Sequence, residues 1–544
     1  MGEDIGRERV VHRVLERQAE KYGDRTFFFF GDKEFSYNEF NSQAGRVACG
    51  LQRLGFAKGD KAAIIFDNSP EFLFLWFGLS KLGAIEVPIN TAHKGDILSY
   101  MLDTADSRIL VAHSHYLDRV EAVLARTPKI ETVVVCDGQG AADVGARERE
   151  HFREEILRLG KRVMSWEDLV DNDGGYQPAD VLWSDPFIIM FTSGTTGPSK
   201  GSVMPHNYPI HLSEMFTEVA GYTEKDRIYN ALPLFHGNAQ LCSMMPALYS
   251  GAQMVLIERF SASRFWEEVK RYGCTEFNGI GGLLPIMYKA EPKPDDADNP
   301  LRLILNAATP KDLIEPFEKR FGLTILEVYG MSEVGMPLMS SFSERRPGST
   351  GKPFRDYSAK IVDDNGLEVG PNTPGELLIR PLKPYSMLLE YYKMPEKTVE
   401  AWRDLWFHTG DYLYRDDDGF FFFVDRKKDA LRRRGENISS FELESTINSH
   451  PAVLESAAIA VKSELGEDEV MVCVVLKPGQ SLTSLEFIQF CEPRMAYFMV
   501  PRYVRFLEAL PKTPTARIEK YRLREEGVTP DTWDRDKAGY KVKR

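Results

Sequence analysis

The sequence has no cysteines spaced for a metal or a redox motif, no apolar run long enough for a membrane, and no excess of positive charge. Its six cysteines, Cys49, Cys136, Cys242, Cys274, Cys473 and Cys491, are scattered without a C-x-x-C. That excludes a zinc ribbon or a dithiol oxidoreductase and predicts reduced thiols. The most apolar stretch, residues 72–79, is closed off by Lys81. It is less than half of the ~20 residues a bilayer span needs, so it predicts a buried helix. Lys and Arg number 68 against 81 Asp and Glu, a formal net charge of −13, which argues against nucleic acid as a partner. The amino terminus lacks the apolar core of a signal peptide. Gly6 stands where a myristoylation motif needs Ser or Thr. The expectation is a cytoplasmic protein with no membrane span.

What is present is ordinary globular composition, 43% apolar and 27% charged, over 544 residues. At about 150 residues per domain that is roughly three to four folding units, enough to bury a core without staples. In the first half, apolar runs alternate with amphipathic segments. Strands are expected at 61–66, 84–88, 108–112 and 131–136, with helices at 70–82 and 116–126. Such alternation implies right-handed βαβ crossovers and mostly parallel sheets. Residues 138–161 turn polar and predict an exposed connection or surface helix. From residue 351 the texture changes to short strands broken by turn residues such as Asp363-Asp364-Asn365-Gly366 and Asp416-Asp417-Asp418-Gly419. After about residue 425 a helix–strand alternation resumes, with helices at 441–449 and 484–494 and strands at 454–461 and 469–477. The expected fold class is α/β. A large N-terminal domain (1–427) holds two α/β sheet halves and a distorted β-subdomain (about 351–425). A smaller C-terminal α+β domain occupies 428–544.

The most informative string is Met190-Phe191-Thr192-Ser193-Gly194-Thr195-Thr196-Gly197-Pro198-Ser199-Lys200-Gly201, following an apolar strand at 187–191. Polyphosphate recognition needs these parts: glycines that let main-chain N–H groups approach an anion, donating hydroxyls, and a cation. It is not a Walker A loop, because the spacing G-x-x-x-x-G-K-S/T is absent. On composition alone, a Ser/Thr/Gly surface loop is the other reading.

The order of residues in this loop resembles the phosphate loop of the adenylate-forming superfamily. That superfamily contains acyl-CoA synthetases, peptide-synthetase adenylation domains and firefly luciferase. The resemblance runs from about residue 25 to 524. Tyr329-Gly330-Met331-Ser332-Glu333 is similar to the family segment with an adenine-stacking ring, a hydroxyl near phosphate and a Mg2+-holding glutamate. The resemblance assigns those roles to Tyr329, Ser332 and Glu333. His408-Thr409-Gly410-Asp411 resembles the motif whose aspartate takes both ribose hydroxyls, here Asp411, with Arg426 as the arginine that joins it. Lys428 falls at the family's hinge, and Gly435 where the pantetheine arm of CoA passes. The segment 230–237, ending in His236-Gly237, resembles a wall of the acyl pocket. Gly281, Gly282, Ala307 and Ala308 form small-residue stretches in the other two walls. The basic run Arg432-Arg433-Arg434 reads as solvated.

One motif departs from the family. Where the pattern Pro-x-Thr-x-Thr-Gly-Lys is expected, the sequence has Pro511-Lys512-Thr513-Pro514-Thr515-Ala516-Arg517. Arginine replaces the lysine that bridges carboxylate and phosphate, and a guanidinium is not a compact ammonium. Either Arg517 serves, or Lys520 reaches in, or adenylation is slow.

The resemblance implies an AMP-forming acid:CoA ligase, closest in texture to crotonobetaine/carnitine-CoA ligase-like enzymes. Its substrates would be a small-molecule carboxylic acid, ATP and CoA, with Mg2+ bound. The implied catalytic set is Arg517, Glu333, Lys200 and His236. The rival readings are a nucleotide- or acyl-CoA-binding regulator with weak adenylation, and an adenylate-forming enzyme with an acceptor other than CoA. A peptide-synthetase module is disfavoured because about 20 residues follow 520–524, too few for a carrier domain. Monomer and homodimer are equally open.

Overall fold

The computed structural model describes residues 6–137, 145–192, 198–280, 283–307, 309–426, 430–433, 436–463, 468–511 and 518–543. They form two compact units. The larger comprises Met1–Thr91, Leu102–Met190 and Gly201–Asp425, and the smaller Ala92–Met101, Phe191–Lys200 and Arg426–Arg544.

Two large sheets dominate the larger unit. In the first, Thr324–Met331, Leu303–Ala307, Glu276–Ile280, Arg227–Asn230, Gln253–Leu256 and Thr26–Phe30 lie side by side and parallel. Antiparallel strands extend both edges of this nine-stranded sheet. In the second, Pro186–Thr192, Ile85–Pro88, Lys61–Ile65, Ile109–His113, Thr132–Cys136 and Arg162–Ser165 occur in that order, with parallel pairing throughout. Parallel strands need both faces covered, and their sequences are accordingly almost continuously apolar.

Helix Pro70–Lys81 shows how the sequence builds these layers. Ser69 accepts a hydrogen bond from Phe72 N, Pro70 occupies the first turn where its missing N–H costs nothing, and every residue but Glu71 is buried. It is apolar all round because it is covered all round. The polar stretch that follows Cys136 contains the surface helix Ala146–Arg158.

A four-stranded sheet follows, ordered Tyr357–Val362, Gly375–Pro381, Phe407–Arg415, Phe421–Arg426. Its turns fall at the Asp-Gly signals: Gly366 N donates to Asp363 O, Gly419 N to Asp416 O, and both glycines have positive φ. In the smaller unit, Val453–Lys462, Asp468–Leu476, Tyr503–Phe506 and Trp533–Asp534 form a second four-stranded sheet, with helices Ser440–Asn448, Ser484–Cys491 and Lys520–Glu526.

All six cysteines are buried and none is in a disulfide. No helix among the described residues is long and apolar enough to cross a membrane. Within the basic run, Arg433 is not solvated as expected. Arg433 is 2% exposed; its Nε lies 2.8 Å from Glu469 Oε2, and it donates to the carbonyls of Phe498 and Val500. A guanidinium with five donors can satisfy several carbonyls at once, which suits it to this buried position.

Candidate active site

Parallel strands in open α/β sheets present their carboxyl ends to ligands, and the candidate residues cluster at such ends. Strand Thr324–Met331 delivers Tyr329, and the turn after it delivers Ser332 and Glu333. Gly330 has to be glycine: a Cβ there would lie 2.2 Å from Gly335 O and 2.3 Å from Met336 Sδ. The close return of the chain at this hairpin turns Ser332 and Glu333 out of the sheet plane.

Tyr329 Oη donates to Asp411 Oδ2 at 2.7 Å, in a buried pair. Asp411 lies in strand Phe407–Arg415, and the strand residues before it are tightly laced. Thr409 Oγ1 accepts from Asp411 N at 3.2 Å and donates to Leu377 O at 2.8 Å; Gly410 N donates to Glu376 Oε1 at 3.2 Å. Gly410 adopts φ +73°, the left-handed region that favours glycine. The two motifs, far apart in sequence, thus share one hydrogen bond.

Glu333 is buried, and its Oε1 accepts from the Tyr391 hydroxyl at 3.0 Å. Burial and the nearby Glu333 carboxylate together hold the Tyr391 phenol far above its ordinary range, so it is a proton donor at every working pH. Tyr391 reaches this position through antiparallel pairing with Ser202, on the strand that follows the glycine-rich loop. Tyr208 Oη donates to Ser332 O at 2.8 Å and fixes the other side of the turn. A hard carboxylate oxygen with its lone pairs oriented by a phenol fits a Mg2+ ion.

His236 is half-buried, with its ring 4.7 Å from that of Phe235. Met190 Sδ links this segment to the turn: it lies 4.0 Å from Ser332 Oγ, and a Cβ on Gly237 would sit 3.3 Å from it. On the third wall, Asn306 donates to Thr309 Oγ1 at 2.8 Å, and Gly279 leaves room for Asn306 Oδ1, which a Cβ would approach to 2.4 Å. Ala307 is half-buried at the end of its strand.

In the smaller unit, Thr192 Oγ1 donates to Lys200 O at 3.4 Å. Ser199 N donates to Glu442 Oε1 at 2.7 Å, and Tyr100 Oη to Ser199 O at 3.1 Å. Lys520, the second contender for the bridging role, has its Nζ 2.7 Å from Glu444 Oε1 and 3.0 Å from Ser440 Oγ. Arg426 closes strand Phe421–Arg426. Ser193, Gly194, Thr195, Thr196, Gly197, Gly281, Gly282, Ala308, Lys428, Gly435 and Arg517 lie outside the described residues.

Sequence reasoning missed Tyr391, Tyr208 and Glu442. None sits in a motif. Tyr391 is 58 residues from Glu333 and meets it only through strand pairing.

With this geometry in hand, similarity to known proteins has a structural basis. Residues 15–392 match the AMP-binding enzyme family, and residues 442–517 the AMP-binding enzyme C-terminal domain. The chain belongs to the AMP-binding enzyme family. A crotonobetaine/carnitine–CoA ligase from Salmonella paratyphi B is 32% identical over 94% of this chain and 98% of its own. The crystal structure of an anthranilate CoA ligase in complex with anthranoyl-AMP is 27% identical, with a TM-score of 0.68 over 95% of this chain and 97% of that one. An o-succinylbenzoate CoA synthetase from Bacillus subtilis shares the fold at 23% identity, with a TM-score of 0.79 over 94% and 98% of the two chains. Within its family, this chain is an AMP-forming acyl-CoA synthetase, an acid–thiol ligase.

Proposed function

We propose that this AMP-forming acid:CoA ligase divides its work among the residues assembled above. Asp411 and Arg426 hold the ribose of ATP, the Tyr329 ring packs on adenine, and the loop 192–200, with Lys200, cradles the phosphates. Glu333 would hold Mg2+, which when bound neutralises charge on phosphate oxygens. The substrate carboxylate attacks the α-phosphorus, the bond to the bridging oxygen of the β-phosphate breaks, and pyrophosphate leaves. Arg517 meets the charge that develops there, since such displacement is mainly positioning and electrostatics. His236 stands at the carboxylate end of the acid, between walls of small residues that include Gly281, Gly282, Ala307 and Ala308. The C-terminal segment then turns at Lys428, the CoA arm passes Gly435, and the thiol sulfur attacks the acyl carbon with loss of AMP. Short- to medium-chain acids are the first substrates to try, given the crotonobetaine/carnitine–CoA ligases among its relatives.

The observation that carries this reading is the hydrogen bond between Tyr329 and Asp411, which unites the proposed adenine and ribose groups. A panel of carboxylic acids, scored for AMP, pyrophosphate and acyl-CoA, tests it. AMP with stoichiometric thioester for at least one acid is the expected result. ADP formation would overturn it. ATP binding without pyrophosphate release from any acid would favour the regulator.

A further inference from the structure

Directly after His236 the chain forms a π-helix, Asn238–Met244. π-turns are rare and tend to occur where function requires an irregular backbone. Three buried polar side chains brace this turn or the segment that leads into it. Asn68 donates to Leu232 O and Ile257 O at 2.9 Å each and accepts from Leu234 N at 2.7 Å. Asn278 donates to Cys242 O at 2.8 Å and to Ser243 Oγ at 3.0 Å. Gln240, inside the π-turn, donates from Nε2 to Leu234 O at 2.7 Å and to Glu86 Oε1 at 2.8 Å.

Glu86 sits in strand Ile85–Pro88, and both it and Gln240 are 0% exposed. Glu86 Oε2 and Gln240 Oε1 are buried with no hydrogen-bond partner among the described residues. They are the remaining oxygens of the same two side chains. An ionised Glu86 would be a fully buried charge with Oε2 unpartnered among the described residues. A proton on Glu86 removes that buried charge while Oε1 still accepts from Gln240 Nε2. Burial acts in the same direction, raising the carboxyl well above its usual range.

We propose that Glu86, as an uncharged acid, is a positioning residue for the carboxylic-acid substrate: it holds Gln240, Gln240 holds the π-turn, and the π-turn sets His236. This rests on the reading of His236 as the wall at the carboxylate end of the acid. Glu86 touches neither substrate nor nucleotide in this scheme, so its effect is selective for the acid.

The test compares Glu86→Gln, Glu86→Leu, Gln240→Leu and His236→Ala by KM for acid, KM for ATP and amide hydrogen exchange over residues 236–244. Glu86→Gln keeps an uncharged oxygen that accepts from Gln240 Nε2, so both KM values stay within about twofold of the parent. Glu86→Leu and Gln240→Leu each raise acid KM about tenfold or more, leave ATP KM within about threefold, and speed exchange over 236–244. Equal rises in the two KM values, or unchanged exchange, would overturn the positioning role. Should Glu86→Leu fail to fold, Gln240→Leu decides: a parental acid KM there overturns the proposal. His236→Ala with an unchanged acid KM would instead overturn the reading of the acid site, whatever the exchange data show.

Discussion

Tyr329 donates its phenolic proton to Asp411 across 2.7 Å, joining the end of one sheet to a strand of another 82 residues on in sequence. The bond holds a ring and a carboxylate in fixed relation, and the proposed function gives each a different part of a nucleoside to recognise. Removing the phenol leaves a buried carboxylate one donor short.

Tyr329→Phe therefore keeps the ring and loses the bond. Hydrogen bonds to charged groups are worth about 1.5–3 kcal/mol, so KM for ATP rises by about tenfold to a hundredfold. Steady-state pyrophosphate release over an ATP series checks it. An unchanged ATP KM would separate Tyr329 from ribose recognition.

Glu333→Ala abolishes Mg2+-dependent AMP formation. Tyr391→Phe is milder, because Tyr391 orients the carboxylate without replacing it. Groups of this kind change metal affinity by about 10–100-fold. The Mg2+ concentration for half-maximal AMP formation rises accordingly, and high Mg2+ restores the rate. Full activity in Glu333→Ala would remove Glu333 from the metal site.

Arg517 and Lys520 separate cleanly. Lys520 is held by Glu444 and Ser440, so Lys520→Met weakens the C-terminal unit by about 1–3 kcal/mol, less than a fully buried pair would. Its pyrophosphate release is unchanged once the protein is folded. Arg517→Ala lowers pyrophosphate release by about a hundredfold or more. The opposite pattern, seen by thermal melting beside a pyrophosphate assay, would transfer the bridging role to Lys520.

Lys428→Pro fixes φ at the proposed hinge. Acyl-adenylate forms at the parental rate while thioester synthesis stops, as followed by single-turnover assays of each half-reaction. Equal loss of both would count against a hinge at this position.

Glu276 is fully buried, and burial pushes its carboxyl up to about 8. Between about pH 4.5 and 8 the folded state keeps a proton that the unfolded state has lost. Stability from this group is therefore complete below pH 4.5 and falls as pH rises through that window. Glu276→Gln removes this slope, worth on the order of a few kcal/mol at 1.36 kcal/mol per pH unit. Melting temperatures at pH 5 and pH 8 read it; an identical pH dependence in parent and variant would mean that Glu276 ionises freely.

Much of this protein was legible in its residues. Strands expected at 61–66 and 84–88 are Lys61–Ile65 and Ile85–Pro88, and the helix at 70–82 is Pro70–Lys81. Apolar runs bounded by glycine and proline report burial directly, and a Ser-Pro start announces a helix. The helix expected at 116–126 is less regular: a 3₁₀ turn, Ser114–Tyr116, precedes Leu117–Leu124. The π-turn after His236 left no mark in the pattern, because its cause lies in Glu86 and Asn278 on distant strands.

Motifs along the chain, through their resemblance to a known family, were enough to reach the family and its AMP-forming acid:CoA ligase activity, because those motifs are short and contiguous. Only the tertiary structure decided who stands beside them: Tyr391 on Glu333, Tyr329 on Asp411, Glu444 on Lys520, and Arg433 buried against Glu469. Such partners come from strands and helices tens of residues away, and a hydrogen bond is specified by position and direction in space, which no spacing along one chain encodes.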